Sequence, residues 1–313
     1  MPLWGFLASL LVAFMWAVSP ILQKEGLKYG TPNEIPAVRS ISFFLTMAAL
    51  MLATQPGKMP FMTPKLFAGL LVSVALSSMM GDLFFAVSIN KIGASLAVSI
   101  SSSYPLIAAL VSVFALHERV KPLVWCGTVF IVLGIVIIQM DASRRKKIKT
   151  GFVVEDFGEM LKRRADTRKG ILFASVSALC SGINIPILKL LMDKGGWNPT
   201  ESYFMRAAVF FFMAWGMRAI QRRWFPSSIK NLAKLPVSAW IYFLASGVVG
   251  IALSGVLFGV CIVRFPVSVV TPITASSPFM TVMLSRIFLK EHLTRVQSAG
   301  IALVIAGSVS VSL

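Results

Sequence analysis

The chain has 313 residues, 57% of them hydrophobic and only 13% charged, with a formal net charge of +18. Soluble domains carry roughly a quarter charged residues. Half that share, with a mean hydropathy of +0.81, excludes an ordinary soluble domain and points to the bilayer. In a soluble protein so basic a balance would suggest nucleic acid. Here most Lys and Arg fall between apolar runs, which indicates membrane orientation and contact with anionic lipid, with no nucleic-acid partner.

A bilayer crossing takes about 20 residues. In chain order, runs of that kind cover Pro2–Leu22, Ser40–Gly57, Leu66–Asn90, Ile92–Leu116, Pro122–Met140, Gly170–Leu188, Asn198–Met217, Leu235–Val263, Phe265–Ser285 and Val296–Leu313. Asp82 interrupts the third and Arg206 the seventh. The first run lacks the basic start and small-residue cleavage site of a signal peptide, so it reads as a span. The expectation is an all-α integral membrane protein with ten transmembrane helices. Cys126, Cys180 and Cys261 are isolated in apolar runs, without ligand or disulfide spacing, and read as packing residues.

The chain repeats itself. Pro105, Glu118, Ser95, Gly127, Gly134 and Lys91 recur as Pro278, Glu291, Ser268, Gly300, Gly307 and Arg264, all displaced by 173 residues. TPNEIPAVR at 31–39 matches NPTESYFMR at 198–206, and Pro20 matches Pro186. Each half then holds five spans, and an odd number forces the halves into opposite orientations. Inverted repeats of this sort mark many secondary transporters. The expected organisation is a first repeat over 1–140, a basic linker over 141–169 and a second repeat over 170–313. Within the linker, Val153, Phe157, Met160 and Leu161 follow helical spacing. An interfacial amphipathic helix and a solvated linker are equally weighted there.

Thr31, Pro32 and Glu34 have the pattern of a helix cap, and Asn198, Pro199 and Glu201 repeat it. Capping explains both glutamates better than a gating charge does. Arg39 and Arg206 stand seven residues past those prolines, about 10 Å along each helix. Each reads as a snorkelling or interhelical arginine or, more sharply, as a charge clamp for a substrate carboxylate. Gly127 with Gly134, and Gly300 with Gly307, lie two turns apart and suit close helix contacts in spans five and ten. The connections 1–2, 3–4, 5–6, 7–8 and 9–10 hold far more basic residues than the others. The positive-inside rule makes them cytoplasmic and puts both termini outside.

The paired segments GASLAVSISSSYPLIAALVSVFALHERV and FPVSVVTPITASSPFMTVMLSRIFLKEHLT resemble the EamA repeat of the drug/metabolite transporter superfamily. Each has a small-residue stretch, a proline, and a glutamate thirteen residues later. GDLFFAVSINKIGAS at 81–95 is similar to the preceding helix pair of that family. The resemblance implies two inverted five-helix EamA repeats, alternating access, and a central cavity lined by the first, third and fourth helices of each half. It also implies cytoplasmic termini, against the charge count. Relatives move amino acids, sugars, nucleotide-linked metabolites, cations and drugs, so the resemblance does not name a substrate.

On those cavity-lining helices, Trp16, Ser19, Ser101, Tyr104, Asn184, Thr271 and Thr274 are the expected substrate-binding residues. Asp82 joins them as the carboxylate deep in a span, a residue for a coupling proton or a cationic group. Its repeat counterpart is Gly255. Pro20, Pro105, Pro186, Pro272 and Pro278 are bends or hinges. Glu118 and Glu291, beside His117, Arg119, Lys290 and His292, read as anchors rather than as a metal site. No cofactor is expected, and no Walker-type loop occurs, so the energy source is a gradient. The leading reading is an exporter of a small amphipathic metabolite such as an amino acid, in the plasma membrane, as a monomer or homo-oligomer. The alternatives are a multidrug, cation or sugar transporter of the same fold, then an integral-membrane enzyme or a channel.

Overall fold

The structure is a computed structural model that describes residues 1–30, 32–57, 60–92, 94–150, 157–224, 232, 235–280, 284 and 295–313. Thr31, Val153, Lys290, Glu291 and His292 lie outside the described residues. Among the described residues the chain is almost entirely helical, with no strand. Eight helical stretches are long and apolar enough to cross a bilayer. The expected seventh span, α9 (Pro199–Trp224), has 26 residues but carries Glu201, Arg206 and a basic end. The ninth begins as α12 (Val267–Thr274) and runs into residues outside the described set. Ten spans are consistent with this.

Several helices depart from the expected bounds for local reasons. Helix α1 runs Leu3–Gly26 with Pro20 inside it. Before α2 (Ile35–Thr54) the chain makes a 3-10 turn over Pro32–Glu34, so the helix starts later than the proline pattern predicts. The cause is Pro36 in the first turn, which has no N–H for the carbonyl of Pro32. The third span is not one α-helix. It comprises α3 (Pro64–Val74), a π-helical segment Ala75–Gly81, and α4 (Asp82–Ile92). The eighth span has the same build: α10 (Val237–Gly247), a π segment Val248–Leu253, and α11 (Ser254–Arg264). The two π segments start 173 residues apart, the offset of the repeat.

The fourth span also differs from the expected unbroken Ile92–Leu116. Ile92 ends α4, and the span splits into α5 (Ala94–Ser101) and α6 (Tyr104–Ala115) across a turn at Ser102–Ser103. Pro105, in the first turn of α6, cannot donate back along the helix and so ends α5. Helix α12 matches α5 at the 173 offset and likewise ends in a turn at Ala275–Ser276 before Pro278. Helices α7 (Pro122–Thr150) and α8 (Phe157–Gly195) carry spans five and six into the linker. Residues 157–169 therefore begin a spanning helix, and neither a separate interfacial helix nor an irregular linker describes them. The last helix, α13, covers Arg295–Ser312.

The chain divides into two compact units. The first comprises Met1–Phe6, Ala75–Ile187 and Phe265–Leu313, the second Leu7–Val74 and Leu188–Arg264. Inside the first, α7 and α13 pack antiparallel through their glycines, as their spacing predicts. A Cβ on Gly127 would lie 2.7 Å from the carbonyl oxygen of Gly307, and one on Gly134 2.5 Å from that of Gly300. Inside the second unit, α2 packs on α9 through Phe43 and Phe210, and through Phe44 with Phe204 and Phe211.

Leu52, Phe114 and Phe212 are exposed at 70, 76 and 73%, the pattern of side chains that meet lipid. Small hydroxyls are buried instead. Ser40, Ser112 and Ser308 are buried and bond back to the carbonyls of Ala37, Ala108 and Val304 at 2.7 to 2.8 Å. Cys180 and Cys261 are buried, Cys126 is exposed, and all three are free thiols.

The capping box of α9 forms as its spacing predicts. The Asn198 N–H donates to Glu201 Oε2 at 2.8 Å, and the Glu201 N–H donates to Asn198 Oδ1 at 2.9 Å. Asn198→Ala is expected to lower stability by about 1 kcal/mol, read by thermal unfolding in detergent. Asn198→Ser retains most of it, and equal stability of all three proteins contradicts the assignment.

Candidate functional site

The expected site residues fall into both units. In the first unit, Tyr104 opens α6 and makes a side-chain hydrogen bond with Thr274, the last residue of α12. This sets the break in the fourth span beside the corresponding break in the ninth. Thr274 donates its hydroxyl hydrogen to the carbonyl of Thr271 at 3.0 Å. Thr271 lies one turn earlier on the same helix face and is fully buried, with no hydrogen-bond partner for its hydroxyl among the described residues. Ser101 donates to the carbonyl of Ala174 on α8 at 3.5 Å. Asn184 is buried further along α8. Close approach here depends on Gly182, because a Cβ there would lie 2.6 Å from Ile107 Cβ and 2.9 Å from the Tyr104 carbonyl. Neither Gly182 nor this packing was evident from composition or spacing.

Asp82 is exposed and begins α4 directly after the π segment. The segment's last carbonyl, that of Gly81, accepts a 2.9 Å hydrogen bond from the Ser177 hydroxyl of α8. A π turn widens the helix and redirects its backbone groups, and such turns concentrate at functional sites. Asp82 therefore stands where the span changes its winding. As the first residue of α4 it also faces the favourable end of the helix dipole.

In the second unit the two arginines are held in parallel ways. Arg39 donates to the Ser19 hydroxyl at 3.3 Å, and Ser19 donates to the Ser246 carbonyl at 3.3 Å. Gln23 adds a 3.2 Å bond to the same hydroxyl. Gly250, within the π segment, receives this cluster: a Cβ there would collide with Ser19 and lie 3.5 Å from Arg39 Nη2. Arg206 is 8% exposed, donates to the Ser73 hydroxyl, and lies 5.8 Å from the centre of the Tyr203 ring. Ser73 and Ser246 are themselves 173 residues apart, so each arginine docks at the residue before a repeat-equivalent junction. Tyr203 packs on Gly255, the counterpart of Asp82, where a Cβ would meet the ring. Trp16 packs on Phe258, ring centres 5.3 Å apart.

The structure thus brings Tyr104, Thr271 and Thr274 together, and separately Ser19 and Arg39. Arg206 has its own shell of Ser73 and Tyr203. Glu118 serves an unexpected partner. Its carboxylate accepts from the N–H groups of Val267 and Ser268 at 2.8 and 3.1 Å, and from the Ser268 hydroxyl at 2.8 Å. It is the N-terminal cap of α12, supplied from the end of α6. His117, with a φ of 54°, makes the left-handed turn between α6 and this glutamate.

Comparison with known proteins follows the same lines. A solved structure titled "Crystal structure of protein" is similar at 14% identity, with 99% of this chain and 98% of that one covered and a TM-score of 0.77. At that identity the likeness shows the fold. No curated protein matches the sequence. The model of the family described as EamA-like transporter family matches residues 3–140 and again 168–313. With nearly the whole length matched as two repeats, and with helices of membrane-spanning length and apolarity, the chain belongs to the EamA-like transporter family.

Proposed function

We propose that the protein is a gradient-driven secondary transporter that exports a small amphipathic metabolite, such as an amino acid, across the plasma membrane by alternating access. The observation that carries this reading is the paired break in the fourth and ninth spans at repeat-equivalent positions. Interrupted helices free backbone carbonyls and create half-helix ends, the elements from which transporter sites are built near the midplane. The hydroxyls of Tyr104, Thr271 and Thr274 and the amide of Asn184, among apolar neighbours, suit a ligand with few polar groups. The tight partners of Arg39 and Arg206 favour interhelical roles over a carboxylate clamp.

Asp82 is the coupling residue in this reading, carrying a proton or facing a cationic group of the substrate. The test is flux of a metabolite panel into liposomes containing the purified protein, with and without a pH gradient. Wild type is expected to accumulate at least one metabolite in a gradient-dependent way. Asp82→Asn is expected to lose that dependence and about tenfold or more in rate, the scale of a lost proton-transfer group. Asp82→Asn flux equal to wild type across pH removes Asp82 from coupling. No gradient-driven flux of any metabolite removes the transport reading.

A further inference from the structure

Pro105 and Pro278 stand at equivalent positions of the two repeats. Each lacks an N–H, so the carbonyls four residues earlier, those of Ser101 and Thr274, lose their helical donors. These two carbonyls end α5 and α12, where aligned peptide dipoles leave about half a negative charge. The Tyr104–Thr274 hydrogen bond places the two ends side by side within the first unit.

Donors at this crossing are largely spent on their own turns. The Ser102 and Ser103 N–H groups return to the carbonyls of Val98 and Ile100 at 2.8 and 3.1 Å. The Ser103 hydroxyl also goes to Ile100, at 2.7 Å, instead of capping α6. The Leu106 N–H goes to the Ser103 carbonyl at 3.0 Å, and the Ser276 hydroxyl to that of Ile273 at 2.7 Å. What remains is an excess of acceptors: two proline-freed carbonyls and the buried, unpartnered hydroxyl of Thr271. No Asp, Glu, Lys or Arg occurs in 94–116 or 265–280, so charge at the crossing comes from dipoles alone.

A group that only donates, or that only accepts lone pairs, satisfies such a set. We propose that the crossing of the two broken helices binds a small positive charge, an ammonium nitrogen or a monovalent metal ion, through the Ser101 and Thr274 carbonyls and the Thr271 hydroxyl. Neutral oxygens are the ligands that replace the hydration shell of such ions in membrane proteins. The proposal rests on reading this crossing as part of the transport path, and it adds the charge of what is recognised there.

The test is thermal unfolding of the purified full-length protein in detergent, titrated with lithium, sodium, potassium or methylammonium chloride. Tetramethylammonium chloride, which has no N–H, holds the ionic strength constant. At least one of the four ions is expected to raise the midpoint saturably. Thr271→Val is expected to shift half-saturation about tenfold or more upward, the scale of one hydrogen bond to a charged group. Thr271→Ser retains binding. Replacing an unpartnered hydroxyl by a methyl group of the same shape does not harm the fold.

Saturation by a metal ion alone identifies the site with a coupling ion, and saturation by methylammonium alone with a substrate amine. Either supports the proposal. Absence of saturable stabilisation by all four, or a Thr271→Val titration matching wild type, overturns it. Liposome flux is measured separately. Binding without flux removes the transport reading and leaves the site, and flux without binding does the reverse.

Discussion

Gly134→Leu is expected to prevent α7 and α13 from packing, so that the protein no longer accumulates as a monodisperse species in mild detergent. The obstacle is backbone, not a side chain that can swing aside. Even the Cβ of alanine at this position would lie 2.5 Å from the Gly300 carbonyl oxygen and 3.0 Å from the Val304 nitrogen. Lipid offers no hydrophobic drive to hold two helices together, so their association depends on close van der Waals contact between small residues. Overpacking costs about 1–3 kcal/mol for modest insertions. Gly134→Ala is placed in that range, and leucine beyond it. Gly127→Ala, with its Cβ 2.7 Å from the Gly307 carbonyl, is expected to behave alike. Gly216 provides the comparison, because nothing lies within 4 Å of its Cβ position. Gly216→Ala is expected to leave the unfolding midpoint unchanged or slightly raised, since alanine favours the helix. If Gly134→Ala and Gly216→Ala unfold together, the glycine seam does not hold the helices.

Glu118→Ala is the second large effect. The carboxylate takes three hydrogen bonds from the first turn of α12, and truncation leaves two backbone N–H groups and a hydroxyl without it. Each buried donor left unmade costs about 1–3 kcal/mol, so a loss of about 3 kcal/mol or more is expected. Glu118→Gln keeps one acceptor oxygen and gives up the charge that favours a helix N-terminus, so it falls between. Ser268→Ala removes one bond and costs about 1 kcal/mol. The pair is tested by a double-mutant cycle of unfolding midpoints in detergent. Effects of Glu118→Ala and Ser268→Ala that simply add show that the two residues do not act together.

These two features mark the boundary of what sequence reveals. The glycine seam was legible because its code is local: two glycines two turns apart, twice, in apolar runs. The same holds for Asn198 with Glu201, where three residues of spacing contain the whole cap. The helix breaks at Ser102–Ser103 and Ala275–Ser276 were foreshadowed by Pro105 and Pro278, although not as interruptions of the spans. Glu118 was recognised as an anchor, but its partners lie about 150 residues away in the chain, and no local pattern carries that pairing. Ser73, Tyr203 and Gly250 were missed for a related reason. Each matters through what another helix brings to it, and a serine or glycine in an apolar run has no distinguishing signal. Among the expected site residues, those sharing a helix face or a repeat position were grouped correctly. Asp82 was noticed by charge alone, and the winding change beneath it was invisible.

That winding change also records history. The π segments Ala75–Gly81 and Val248–Leu253 contain no proline and share little sequence, yet they begin at the same repeat offset as the matched glycines and prolines. An extra residue accommodated within a helix turn is a rare event. Two independent insertions at one equivalent position are far less economical than one insertion copied by duplication. The widened turn is therefore older than the two-repeat chain. It belonged to a five-helix ancestor, and every later divergence, including aspartate at 82 against glycine at 255, was written onto a helix already carrying it.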